Sequence, residues 1–352
     1  MIMHRQGSKG GDRFRHVVLT RFSYRGAWVN SSNDPLEPNR LRRRFEVFET
    51  VTVPSLVNQS CQNFDYVVLV DPNLATAHLG RLHRLLESIP RAQVVAFTPD
   101  LHVEGLSWLA DLGEPNADWL LTTNLDDDDA LSHGFVASLQ QWAQAKVRDA
   151  THPMHLVASP EVVEWTAIPS ADHPSGDIGP RSRPLPASAG LTALASRAAA
   201  DLSVLAIHHA DVPRLSDETL AHLPWGRREH IERLRRISSH VAITSENFEY
   251  LHEGNSALMV NHLDNVQATR SIKPGSPLNG GPNQATLDRF GIDPEEAGAL
   301  SRNQLMTIRR AADQVWRIYQ LNVRNHSQPS MRRRLFEGQR ATRRVVARLR
   351  RN

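Results

Sequence analysis

The sequence predicts an α/β fold built on a mostly parallel sheet flanked by helices. Three observations carry this. Short apolar runs, His16–Thr20, Tyr66–Val70 and Val94–Phe97, have the length of buried strands. Segments with apolar residues at helical spacing alternate with them, and continuous apolar strands between amphipathic helices read as a parallel sheet. A fourth run, Asp118–Leu125, opens directly onto four consecutive aspartates, Asp126 to Asp129.

Each element follows in order. Residues 1–14 read as a disordered lead-in and 24–39 as a loop. From Asn39 a helix carries Leu41, Phe45, Phe48 and Val51 on one face, and Pro54 marks a kink or a second helical piece reaching Asn58. Ala75–Ser88 is helical with Leu79, Leu82, Leu85, Leu86 and Ile89 inward, and Phe135–Val147 forms the helix after the acidic run. Beyond residue 150 the pattern loosens. Leu156–Ser159 and Val162–Thr166 could pair as a hairpin, 168–190 is a proline- and glycine-rich excursion, and Val204–Ile207 and Ala242–Thr244 are weak strands around a helix at Arg227–Ile237. Ala257–Val260 is a short strand ending at Asn261-His262, 271–284 is a loop, and Arg302–Val323 is a long helix. This divides the chain into a half at 15–150, an irregular half at 151–300, a C-terminal helix at 301–330 and a basic tail at 331–352.

Composition narrows the class. With 352 residues, 40% hydrophobic and 22% charged, the chain is neither fibrous nor wholly disordered. No apolar run spans a bilayer, no secretory signal core is present, and the single Cys61 fits a reducing cytoplasm, where the chain is expected to reside. Only three of the 41 basic residues are lysines; nine arginines sit in 331–352, and without that tail the body carries a net charge of −5. The body is therefore not a nucleic-acid surface. The tail can form a basic amphipathic helix with Leu335, Thr342, Val345, Val346 and Leu349 on one side, suited to an anionic membrane surface. P-loop, dinucleotide-binding and nucleophile-elbow motifs are missing.

The aspartate run is the most informative feature. Ligands of open α/β sheets bind beyond the carboxyl ends of the strands. Like charges packed there ask for a cation, and Mg²⁺ or Mn²⁺ takes oxygen ligands from one or two carboxylates plus substrate phosphates. A solvated acidic loop or a helix cap is the plainer reading, weighed down by the strand before the run and the apolar Leu125, Ala130 and Leu131 around it.

TTNLDDDDAL resembles the LDxDDA-type segment of nucleotide-sugar-dependent glycosyltransferases with the GT-A fold, which is Rossmann-like. HVVLTRFSY followed by RRRFEVFETVTVPSLVNQSCQNFDYVVLVDPN is similar to the opening of the bacterial rhamnosyltransferase family, with its TRF strand end and FE-x-x-x-x-PS-x-x-x-Q helix. The resemblance covers about 16–140 and continues weakly through MVNHLDN at 259–265. It implies a nucleotide cradled by Thr20, Arg21 and Phe22, with Asp71 accepting from a pyrimidine base; the plainer reading of Asp71-Pro72 is a turn starter. It further implies Asp126 on ribose or metal, Asp128 on metal, and His262 as a third ligand, with Mn²⁺ or Mg²⁺ as cofactor. Asn124 stands where many relatives are expected to carry arginine. Sugar transfer with inversion needs a base; Asp211 and Glu161 are the named candidates, with Glu164 and Glu218 as further carboxylates. The expected partners are a nucleotide-sugar donor and a glycan or lipid-linked acceptor. Competing readings are an idle nucleotide- or metal-binding protein using the same acidic loop, and a transferase that modifies nucleic acid.

Overall fold

The computed structural model describes residues 14–23, 34–96, 117–149, 152–159, 161–167, 176–180, 189–196, 204, 248–251, 256–262 and 284–325. Strands β1 (Phe14–Phe22), β2 (Asp65–Val70), β3 (Ala92–Ala96), β4 (Trp119–Asn124), β6 (Met154–Ala158), β9 (Thr192–Ser196) and β10 (Phe248–Tyr250) form one sheet in the order β10-β6-β9-β4-β1-β2-β3. The pairs β1·β2, β1·β4, β2·β3 and β6·β10 are parallel, and β9 alone runs antiparallel to its neighbours β4 and β6. The predicted mostly parallel sheet is therefore present, with one reversed strand inserted beside β4. Three of its strands come from beyond residue 150.

The expected hairpin is overturned. β6 lies between β9 and β10, whereas β7 (Glu161–Thr166) belongs to a second sheet ordered β5-β11-β7-β8, with β5 (Asp129–Leu131), β8 (Asp177–Pro180) and β11 (Ser256–Asn261). Only Ser159 and Pro160 separate β6 from β7, and Ser159 Oγ donates to the Glu161 carbonyl at 2.6 Å, so the chain changes sheet instead of folding back.

By compactness the chain divides into two units. The first comprises Met1–Val163, Arg181–Met259 and Arg289–Gly291; the second comprises Glu164–Pro180, Val260–Asp288 and Ile292–Asn352. In the first unit the helices are α1 (Pro38–Val47), α2 (Val53–Val57), α3 (Thr76–Leu86) and α4 (Phe135–Asp149), with a π-turn at Phe48–Thr52 joining α1 to α2. The π-turn has a local cause. Pro54 has no N–H, and the Val53 N–H reaches back five residues to the Phe48 carbonyl, so one extra residue is accommodated just before the proline. The helix thus continues past Pro54 as a second piece, as the sequence suggests. At its start, Glu37 accepts from the N–H groups of Asn39 and Arg40, which hold its carboxyl below the usual range.

The apolar positions of these helices converge on one face of the sheet. Leu41, Phe45, Phe48, Leu56, Leu82, Leu86, Val136 and Leu139 bury against Val18, Phe22, Val68, Val70 and Leu121. Val17, Leu19, Val67, Leu69, Leu120 and Leu156 bury on the opposite face with Val204. His16 lies on the first face with Nε2 3.0 Å from Thr123 Oγ1; burial, helped by Arg91, lowers its pKa to about 3, so it is a neutral structural group.

In the second unit, α5 (Gln284–Arg289) contributes residues up to Asp288, and α6 (Pro294–Asn325) contains the predicted long helix. Asp293 Oδ1 accepts from the N–H groups of Glu295 and Glu296, and Pro294 opens the helix, so α6 begins about eight residues earlier than its apolar spacing indicates. Among the described residues, no helix is long and apolar enough to cross a membrane. The candidate strand Ala242–Thr244, the helix Arg227–Ile237 and the tail 331–352 lie outside the described residues, as does all of Val204–Ile207 except Val204.

Candidate functional site

The strand order fixes where a ligand would sit. From β1 the chain moves outward to β2 and β3, then returns to place β4 on the other side of β1, so the direction of winding reverses between β1 and β4. In open α/β sheets the crevice at the carboxyl ends of two such strands is the ligand position. Here those ends are Arg21-Phe22-Ser23 and Asn124-Leu125-Asp126, and the two chains stay side by side past the last ladder pair, Leu19↔Asn124. Leu125 N donates to the Leu19 carbonyl at 3.0 Å, and Thr20 Oγ1 donates to the Leu125 carbonyl at 2.7 Å while accepting from Tyr66 OH at 3.0 Å.

The four aspartates are not a floppy loop. Asp129 N donates to the Asp126 carbonyl at 3.1 Å, closing a turn across 126–129, and Asp129 already belongs to β5, opposite Met259 of β11. The environments of the carboxylates differ. Asp126 is half-buried and faces Arg21, whose guanidinium is 3.4 Å away. Asp127 is buried and receives both arms of the Arg44 guanidinium, Nε at 2.8 Å to Oδ2 and Nη2 to Oδ1, plus the Ser23 N–H at 3.3 Å. Asp128 keeps 9% exposure and Asp129 is buried. Ser23, at φ 48°, is the only non-glycine residue with a left-handed backbone among those described. That conformation aims its N–H at Asp127.

Burial pushes the Asp127 carboxyl up, Arg44 pulls it back, and the charges of Asp128 and Asp126 push it up again. For Arg44, burial opposes the charge, yet Asp127, Asp128 and Asp126 together raise its pKa. The guanidinium stays protonated, and the pair is ionic and bidentate.

The motif residues of the N-terminal segment tie its helices to the neighbouring elements. Phe48 packs on Phe22, ring centroids 5.1 Å apart, and Glu49 takes both Nε and Nη2 of Arg81 at 2.6 and 2.8 Å. Gln59 Nε2 donates to the carbonyls of Ser55, Leu131 and Ser132, and its Oε1 accepts from Val136 N. One buried side chain thus ties the end of β5 and the start of α4 to α2.

The proposed cradle residues separate by strand alternation. Thr20 and Phe22 are fully buried, the first by its hydroxyl relay and the second against Phe45 and Phe48. Their side chains support the strand end from within the core. Arg21, between them, is partly exposed. Asp71 follows directly on β2 and is buried; its Oδ1 accepts from Asn73 N at 2.8 Å and Asn73 Nδ2 at 3.0 Å, so the turn-starter reading is realised. His262 is buried and lies in the second unit. Glu161 is exposed and pairs with Arg289 at 2.9 Å. Asp211 and Glu218 lie outside the described residues, and Glu164 lies in the second unit. Among the described residues, no group of three or more His, Cys, Asp or Glu side chains converges as a metal cage. Asp126 and Asp128 offer hard carboxylate oxygens, the donor type suited to Mg²⁺ or Mn²⁺ completed by phosphate and water.

Sequence reasoning missed Arg44. A signal existed: it lies three residues after Leu41 and four before Phe48, on the apolar face of α1, where an arginine needs a buried partner. It also missed Gly190, at φ 73°, whose N–H donates to the Asn124 carbonyl at 2.9 Å. A Cβ there would stand 2.7 Å from Phe135 Cζ and 3.3 Å from Leu131 Cδ2. Gly190→Ala is expected to cost about 2–4 kcal/mol, from the left-handed backbone and the overpacking combined. Gly80→Ala, inside α3 with Arg84 Nη1 the nearest atom at 3.6 Å, should instead stabilise by about 0.4–1 kcal/mol. Denaturant unfolding of both variants checks the opposite signs.

Fold and site together define a Rossmann-like α/β protein with an acidic turn at its topological switch point. Residues 15–158 match the family described as "Putative rhamnosyl transferase", and over this segment the family resemblance read from the sequence is borne out. No curated protein matches the chain. Among solved structures, it is similar to S. aureus TarS 1-349 in complex with UDP, at 12% identity over 70% of this chain and 61% of that one, TM-score 0.32. It is similar to a "putative glucose-1-phosphate thymidylyltransferase" from Bacillus anthracis at 12% identity, covering 76% and 99% of the two chains, TM-score 0.31. The chain spans between 38% and 61% of the TarS 1-349 structures it matches.

Proposed function

We propose that this chain is a glycosyltransferase that moves a sugar, with inversion, from a nucleotide-sugar donor to an acceptor hydroxyl. The observation that carries the reading is the ordered acidic turn at the switch point between β1 and β4, in a segment matching a sugar-transferase family. Asp126 and Asp128 would hold Mg²⁺ or Mn²⁺, with donor phosphate and water completing its shell. Such an ion neutralises the charge that builds on the leaving diphosphate.

The remaining work falls to the chain's own groups. Arg21 is held to Asp126 by a loose contact at 3.4 Å and is partly exposed, so it can exchange that carboxylate for a donor phosphate oxygen at small cost. Asp71, at the end of β2, would accept from the base. The acceptor proton goes to a carboxylate, Asp211 or Glu161, the latter paired with Arg289 at 2.9 Å. The acceptor is a glycan or lipid-linked hydroxyl, and 331–352 would reach an anionic membrane surface.

The test is thermal unfolding with UDP, dTDP, GDP and CDP, each with and without Mn²⁺. A ligand at about 100 times its Kd adds roughly 2.7 kcal/mol, several degrees in Tm for a chain of this size. One nucleotide acting only with the metal supports the reading. Silence from every nucleotide and from Mn²⁺ alone refutes it.

A further inference from the structure

Four adjacent carboxylates cannot all face one ligand, and the turn that carries them must be held against their mutual repulsion. Asn124 adds no positive charge at the end of β4. Besides Arg21 of β1, which meets Asp126, charge compensation comes from α1. Arg44 reaches across from that helix to Asp127, 83 residues away in sequence, with both guanidinium arms on both carboxylate oxygens. The Ser23 N–H, at the end of β1, lands on the same Oδ2. Three elements, α1, the exit of β1 and the turn after β4, therefore meet at one buried carboxylate.

The two arginine contacts of the turn differ in kind. Arg44–Asp127 is bidentate, with Asp127 only 1% and Arg44 19% exposed, whereas Arg21–Asp126 has one arm at 3.4 Å with both side chains about 30% exposed. A buried fork holds a fixed geometry; a single exposed contact exchanges readily. We infer that Arg44 is the positioning residue of this site: its fork takes Asp127 out of ligand binding, makes it the anchor of the turn, and so fixes the places from which Asp126 and Asp128 meet a metal–nucleotide. Arg44 acts through Asp127 and not on the ligand. The inference rests on the donor-binding reading above for the ligand, while the anchoring itself is measurable without one.

Arg44→Lys is the informative variant. It keeps a cation against Asp127 but loses the fork, so a role that needs charge alone survives it and a role that needs two-point geometry does not. Arg44→Met removes both. Amide hydrogen exchange would be followed on 123–131, with 65–70 in β2 as internal reference, and binding of UDP and dTDP with Mn²⁺ by calorimetry. Exchange in 123–131 should rise about tenfold in Arg44→Lys and further in Arg44→Met, the reference staying protected. Nucleotide affinity should fall in the same order, by about tenfold for the lysine variant.

Unchanged exchange in 123–131 in Arg44→Lys overturns the inference. So does lost binding with unchanged exchange, since Arg44 would then touch the ligand itself. Should Arg44→Met fail to fold, the lysine variant still decides. A wild-type chain that binds none of UDP, dTDP, GDP and CDP sinks the donor reading alone; faster exchange in the variants would still establish the anchor.

Discussion

Asp127→Leu is expected to cost about 3 kcal/mol of global stability, and adding Arg44→Met should return most of that loss. The single change strands a guanidinium inside α1's buried face with its closest counter-charge gone. The converse single change, Arg44→Met, strands a carboxylate beside Asp126 and Asp128, whose charges already press on it. The double variant leaves two apolar side chains of similar bulk, and a buried ion pair replaced in this way is commonly neutral or better. Arg44 retains 19% exposure, which places each single loss at the lower end of what broken buried pairs show. Denaturant unfolding of the four proteins reads the coupling, which should exceed about 2 kcal/mol. Additive losses below about 1 kcal/mol each would mean that the pair behaves like a surface contact.

The same pair marks the limit of what the sequence discloses. The strands β1, β2 and β4 are legible because each is buried on both faces, so continuous apolar runs such as YVVLV have no competing reading. The acidic turn is legible for the opposite reason, since four adjacent charges at a strand end demand an explanation. β9 is not legible: Thr192–Ser196 is built of small residues without an amphipathic signature, and its reversed pairing with β4 and β6 depends on where the chain returns in space. β5 is hidden because its three residues begin inside the aspartate run. Arg44 is one of 38 arginines, and what singles it out is a helical phase shared with Leu41 and Phe48, visible only once α1 is known to lie on the sheet. A strand-end motif says which residues are near a crevice, while the pleat decides that the Thr20 and Phe22 side chains are buried and Arg21 between them stays partly exposed.

The largest functional effect is expected at Asp128. Asp128→Asn preserves the shape of the turn and removes one negative charge, so Tm should move by no more than a few degrees. Sugar transfer and donor hydrolysis should fall by at least about a hundredfold, because an amide oxygen is a far weaker ligand for a hard divalent cation. Asp126→Asn should behave similarly in activity and cost little in stability, since its 3.4 Å contact with the partly exposed Arg21 contributes well under 1 kcal/mol. Asp127→Asn should invert this pattern: its first effect is on stability, through Arg44, and its effect on transfer follows from a loosened turn. Activity against Tm for the three single variants therefore separates two ligand carboxylates from one anchor. Full transfer by Asp128→Asn would remove the metal from this site. Equal stability losses at all three positions would mean that the aspartates share one structural role, and the division of labour assigned to Arg21 and Arg44 would fall with it.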